Sequence, residues 1–193
     1  MVLPVVQYGS PVLRHKGARI EAITPAIKKL ITDMLETMYA FKGIGLAAHQ
    51  VGLAVQLTVL DVRGATDRPS WLELNGRPAD VEGFMPLVLI NPEITPVGQP
   101  VKGPEGCLSF PEIYADIVRP DVVDVKALNP EGEPIEFRCG GLLSRAIQHE
   151  TDHLHGILFI DRMGRETKEE LRHELELLMA ETKAALKAEP VGR

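Results

Sequence analysis

Cysteine occurs only twice in 193 residues, at Cys107 and Cys139, so at most one bridge could form. A disulfide-stapled scaffold is excluded, and two separate thiols are the expectation in a reducing compartment. Positive charge is in deficit as well: 21 Lys plus Arg stand against 27 Asp plus Glu, a net charge of -6. Without a general positive field, DNA is not an expected partner. No apolar run reaches the 18 residues that a membrane helix would need. The first residues, MVLPVVQYGSPVLRHKG, have neither a basic segment ahead of an apolar one nor a small-residue cleavage site, and a cytoplasmic protein is expected. Repeats, low-complexity tracts and a dividing linker are lacking too, which points to one domain over 1–193. What is present is an ordinary globular mixture, 45% hydrophobic and 25% charged.

Thr24 and Pro25 form a helix start, a capping hydroxyl followed by proline at the first helical position. Ile27, Leu30, Ile31, Met34, Leu35 and Met38 then recur at spacings of three and four, so one helix face should be buried before Gly43 ends the element. Strand patterns follow in AVQLTVLDV (54–62), PLVLIN, IYADIV, DVVDVKAL and PIEFRC, too close together for helical crossovers. An antiparallel α+β fold is therefore predicted, with Pro130, Glu131 and Gly132 turning one hairpin. Residues 63–84, rich in Gly, Pro, Asp and Asn, read as a long loop insertion. A second helix should run from Gly140 and Gly141 to Gly156, and a C-terminal helix over 166–187 should face inward with Leu171, Leu175, Leu178, Thr182 and Ala185.

The second helix carries the sharpest chemical signal, His149-Glu150-Thr151-Asp152-His153. Positions i and i+4 share a helix face, where two imidazoles can grip one metal ion. Glu150, one residue round, can reach a metal-bound water without ligating the metal, the division of labour that metal-assisted hydrolysis needs. A third ligand is still required. His155 points to another side of the helix, and His173 lies on a charged, surface-like helix. The better candidate is Cys107 in EGCLS; Cys139, at a strand end, reads as a small buried hydrophobe.

After the first helix comes GIGLAAHQ, Gly43 to Gln50. Its small residues admit another chain close to the backbone, and the Gln50 amide can donate to a developing oxyanion. It is no phosphate loop, since no Gly-Lys-Ser/Thr ending follows.

GIGLAAHQ, EGCLS and QHETDHLHG, in that order, resemble the three motifs of the bacterial peptide deformylases, and the similarity extends from the N-terminal segment to beyond GILFIDRM. The resemblance implies antiparallel sheets around a central helix bearing HExxH. It implies removal of the formyl group from the N-terminal formylmethionine of new polypeptides, with release of formate. Cys107, His149 and His153 would hold one divalent ion, Fe²⁺ by the resemblance, although Zn²⁺, Ni²⁺ or Co²⁺ also suit those donors. Glu150 would be general base and then general acid. Gln50 and the backbone NH of Leu108 would form the oxyanion site. Gly45 and Gly106 would pair the peptide as an added strand, and Ile44, Leu142 and Ala146 would line the methionine pocket.

Two other functions stay open on the residues alone: a zincin-like metalloendopeptidase, and a non-catalytic binding module stabilised by a fully ligated zinc. The insertion at 63–84 suggests a flap over bound peptide, with Trp71, Leu72 and Leu74 as its inner face. From Arg165 to Arg193, 6 Lys plus Arg stand against 7 Glu, which argues against ribosome docking by a basic C-terminal helix.

Overall fold

The computed structural model describes residues 1–189. Among these, the helices are α1 (Pro25–Ala40), α2 (Leu142–Leu154), α3 (Arg165–Glu170) and α4 (Arg172–Ala188). The strands are β1 (Gly45–Ala47), β2 (Leu57–Leu60), β3 (Ser70–Leu74), β4 (Arg77–Ala79), β5 (Leu87–Pro96), β6 (Pro100–Cys107), β7 (Phe110–Pro120), β8 (Val122–Leu128) and β9 (Pro134–Gly141). Seven strands form one sheet in the order β1-β2-β5-β8-β9-β3-β4, and β6 pairs with β7 alone. Every strand pairing is antiparallel, as the strand spacing predicts.

The Thr24 side chain caps α1 by accepting from the Ile27 NH, and Ile31, Met34 and Met38 bury its inner face against Leu46, Leu57 and Val59. In β8 the alternation is strict: Val123, Val125 and Ala127 go inward. The hairpin from β8 to β9 turns at Gly132, whose φ of 81° suits glycine. Entry into α2 also depends on a glycine. Gly141 has φ 70°, and a Cβ there would lie 2.2 Å from the Pro69 carbonyl oxygen. The chain can therefore swing straight from β9 into α2, which is buried along its whole length and touches strands of both sheets.

Two sequence expectations are corrected. Residues 63–84 are not a long loop, because they contain β3 and β4. Asn75 and Gly76, with φ of 52° and 73°, make the tight turn between them, and β3 joins the large sheet beside β9. The apolar cluster assigned to a flap is split by strand alternation. Leu72 enters the main core and Leu74 packs on it, while Trp71 faces outward with its indole over Gly140. The inner face of a flap is thus not formed, and the segment is the outer edge of a sheet.

β6 is a strand that the sequence patterns did not mark, because Pro100, Gly103, Pro104 and Gly106 hide its strand character. One of its edges has no strand neighbour, and prolines are tolerated there. The second correction is the C-terminal helix, divided at Leu171 (φ -92°, ψ 0°) into α3 and α4. The division is local: the Leu171 NH still reaches the Thr167 carbonyl, and the Leu171 carbonyl accepts from Leu175. Leu171, Leu175 and Leu178 do face the core, beside Phe110 and Phe159.

Candidate metal centre

α2 sets His149 and His153 one turn apart on one face, with ring centroids 5.1 Å apart. The third member arrives from the small sheet. Between Gly106 and Cys107 the β6–β7 register shifts, so Cys107 opposes Phe110 at the corner of the hairpin, and such a bulge re-aims a side chain. Its Sγ lies 3.4 Å from His153 Nε2. One donor atom each from Cys107, His149 and His153 lies within 4.8 Å of the others, close enough to hold one metal ion.

The electrostatics suit a cation at this point. Burial opposes charge on His149, yet the Cys107 sulfur and Glu105 outweigh it and raise its pKa well above the usual value. His153 goes the other way, pushed well below by burial and by the charge on His149. The cluster thus attracts one positive charge and leaves a neutral imidazole beside it. Borderline-soft divalent ions prefer this donor set of nitrogen and sulfur.

Glu150 packs over Gly45. Its carboxyl is buried, Oε2 has no protein partner, and burial raises its pKa to about 7. A carboxyl poised near neutrality can both take and give a proton. Gln50 is held in the short helical turn Ala48–Val51, where its Oε1 accepts from the Ala47 NH at 2.9 Å. That bond settles the amide: Nε2 points to Ser109 Oγ at 3.3 Å and to the Cys107 sulfur at 3.5 Å. The Leu108 carbonyl accepts from Gln7 Nε2.

All the site residues named from the sequence except His153 line a single cavity of about 650 Å³, and His153 Nε2 lies 3.4 Å from the sulfur of Cys107 on its wall. Ile44, Leu142 and Ala146 form part of its apolar wall. Cys139 is buried in the core, with its thiol pushed up to about 12 by burial. His155 and His173 are exposed.

Sequence reasoning missed the buried charges that support the cluster. Glu105 accepts from His149 Nδ1 at 2.9 Å, from Arg119 at 2.6 and 2.9 Å, and from Arg145 at 2.8 Å. Burial alone would raise its pKa, but His149 and Arg119 hold it down at about 2. Arg119 also donates to Asp152 at 2.9 Å, and Arg162 covers the same carboxylate at 2.8 and 3.1 Å. Glu105 fixes the His149 tautomer, leaving Nε2 for the cluster. The only sequence signal was the presence of Glu105 inside EGCLS.

Two imidazoles, a sulfur and a buried carboxyl around one cavity are the equipment of a metal-dependent hydrolase. The polypeptide deformylase family model matches residues 2–169. The peptide deformylase of Opitutus terrae is 45% identical over 192 residues, covering 98% of this chain and all of that one. That of Methylacidiphilum infernorum is 49% identical over 176 residues, 91% and 92% of the two chains. A plant peptide deformylase structure superposes with TM-score 0.82 at 38% identity, covering 99% and 96% of the two chains. One from Synechococcus elongatus, in complex with actinonin, gives 0.74 at 37%, covering 94% and 86%.

The chain belongs to the peptide deformylase family. It is a hydrolase that removes the formyl group from the N-terminal formylmethionine of newly made polypeptides, releasing formate.

Proposed function

We propose that Cys107, His149 and His153 hold one divalent ion, Fe²⁺ in the cell, and that Glu150 carries the proton traffic of deformylation. The observation that carries this reading is the convergence of the three donor atoms within 4.8 Å. When bound, the ion supplies Lewis acidity toward the water and the formyl oxygen. Glu150 takes a proton from the attacking water on its carboxylate and later gives it to the leaving amine. Its pKa near neutrality and its unpartnered Oε2 support both halves of that role. Gln50 Nε2, aimed into the cavity by the Ala47 bond, donates to the oxyanion together with the Leu108 NH. Such a donor contributes about 3 to 4 kcal/mol in comparable enzymes.

The peptide enters as a strand. β1 lies at one end of the large sheet and β6 pairs only with β7, so both keep a free edge, and Gly45 and Gly106 leave room for a backbone. Ile44, Leu142 and Ala146 receive the methionine side chain. The chain acts as one catalytic domain around α2 in the cytoplasm; among its described residues no helix is long and apolar enough to cross a membrane. Ribosome contact through a basic C-terminal helix is not part of this reading, because that segment has no positive excess.

The test uses protein purified without air and a formyl-methionyl tripeptide, with formate and bound metal both measured. Glu150→Ala should keep its metal and lose turnover by about 10²- to 10⁴-fold, the usual contribution of a positioned acid-base group. Cys107→Ala should lose the metal itself. A Cys107→Ala protein that keeps stoichiometric metal would sink the ligand assignment, and an active Glu150→Ala protein the proton assignment. Iron-loaded wild type should lose activity in air while the nickel form does not. Equal air stability of the two would refute the iron assignment.

A further inference from the structure

Two buried ring nitrogens near the cluster have no protein partner, and each has its protonation fixed from the other side of its ring. His49 is fully buried, with Nε2 2.9 Å from the His15 carbonyl oxygen. A carbonyl only accepts, so Nε2 carries the hydrogen and Nδ1 keeps a lone pair with nothing to accept from. His153 is the opposite case. Its Nε2 faces the Cys107 sulfur, and with that lone pair turned to a metal ion the hydrogen sits on Nδ1, buried with nothing to donate to. One ring lacks a donor and the other an acceptor.

The His49 ring lies close to the end of α2 that carries His153. A Cβ on Gly17 would lie 2.9 Å from His49 Cε1 and 3.1 Å from the carbonyl oxygen of Leu154, the residue after His153. The His49 ring therefore lies against the last turn of α2, and a charge on it would be felt at His153. Other polar groups of this corner are already engaged: the Leu154 carbonyl accepts from the Gly17 NH at 2.9 Å and from Gln56 Nε2 at 3.2 Å. Thr151 Oγ1, also without a partner, stands about 200° round the helix from His153 and cannot serve it.

We propose that His49 is the positioning residue of His153: its Nδ1 accepts, through one enclosed water, the hydrogen on His153 Nδ1, and so fixes which nitrogen His153 turns to the metal. The inference rests on the metal reading above. A bridging water here has the polar partners that an enclosed water needs, a donor on one side and an acceptor on the other. His49 then does for His153 what Glu105 does for His149, with a neutral acceptor in place of a carboxylate, so no further negative charge is added to the site. Partners of this kind orient a ligating imidazole, and their loss weakens metal binding in other sites.

The two nitrogens of His49 can be separated by substitution. His49→Gln keeps a donor for the His15 carbonyl and leaves no acceptor at the Nδ1 position; His49→Asn keeps an acceptor near the Nδ1 position and is too short to donate to the His15 carbonyl. The zinc dissociation constant of each protein is measured by competition with a chromophoric chelator, beside its thermal melt. His49→Gln should bind zinc about 10- to 100-fold more weakly at a nearly unchanged melting temperature. His49→Asn should melt lower and keep zinc affinity near that of the wild type. On the zinc-loaded wild type, ¹⁵N NMR of the imidazoles should show His49 protonated on Nε2 and a slowly exchanging hydrogen on His153 Nδ1. Equal zinc affinity in all three proteins, or a His49 ring protonated on Nδ1, overturns the proposal. Where a variant does not fold, the spectrum of the wild type decides. Retention of zinc by Cys107→Ala would instead overturn the metal reading, a separate result.

Discussion

Gly45 and Glu150 are in such close contact that a Cβ on the glycine would lie 2.5 Å from Glu150 Oε1 and 2.9 Å from its carboxyl carbon. The carboxyl is buried on the cavity wall, and it must shift to clear a methyl at this position. Gly45→Ala should therefore displace the carboxyl while leaving Cys107, His149 and His153 in place. An ångström of misplacement costs about 100-fold, so turnover should fall by about that factor with metal content unchanged. Steady-state kinetics beside metal analysis checks this, and an alanine variant with normal turnover would show that the carboxyl has slack.

The two thiols should react very differently. Burial pushes Cys139 up to about 12, so at neutral pH it stays protonated and out of reach until the protein unfolds. Cys107 lines the cavity and is reachable when no metal is bound. A thiol reagent should label one cysteine per chain in chelator-treated native protein, none in zinc-loaded protein, and two in denaturant. Labelling of Cys139 in the native state would contradict its place in the core.

Leu72 is fully buried in the main core while its neighbour Trp71 faces outward. Leu72→Ala should cost about 2 to 5 kcal/mol, the usual penalty for deleting a buried leucine. Trp71→Phe should cost much less. Chemical denaturation of both variants tests whether β3 is structural. Equal stabilities would contradict the burial of Leu72 in the core.

Asp161 tests the pH dependence of stability. Burial would raise its pKa, but Arg14, which donates to it at 2.5 and 3.1 Å, and the Leu158 NH lower it. A carboxyl lowered in the folded state contributes stability above its unfolded pKa of about 3.9 and loses it as the pH falls through the lowered value. The cost of Asp161→Asn should be at most about 1 kcal/mol at pH 7, since the pair is partly exposed. Thermal melts should show that cost shrinking from pH 5 to pH 2. A cost that grows on acidification would reverse the sign of the argument.

What the sequence made legible was local. The Thr24 cap, the three- and four-residue spacings of α1, and His149 with His153 at i and i+4 each lie within a turn or two of one helix. Strand alternation was equally plain where nothing interrupted it, as in β8. The β3–β4 hairpin was obscured because its strands are short and flanked by proline and glycine, although Asn75-Gly76 is itself a hairpin signal. The buried charges were illegible for another reason. Arg119 meets Glu105 across 14 residues and Asp152 across 33, and no short window contains such a pair. His49 stood in a quoted motif, but only the fold brings it to the end of α2.

Glu105 and Arg119 belong to the two-stranded sheet, whereas Arg145, His149 and Asp152 belong to α2, so the charged contacts form a seam between parts that share no strand pairing. Removing one member would leave buried partners unmatched, at a cost of about 3 to 5 kcal/mol. The contacts that orient His149 therefore also fasten the hairpin carrying Cys107 to the helix carrying both imidazoles. One set of charges holds the two walls of the cleft at a fixed separation.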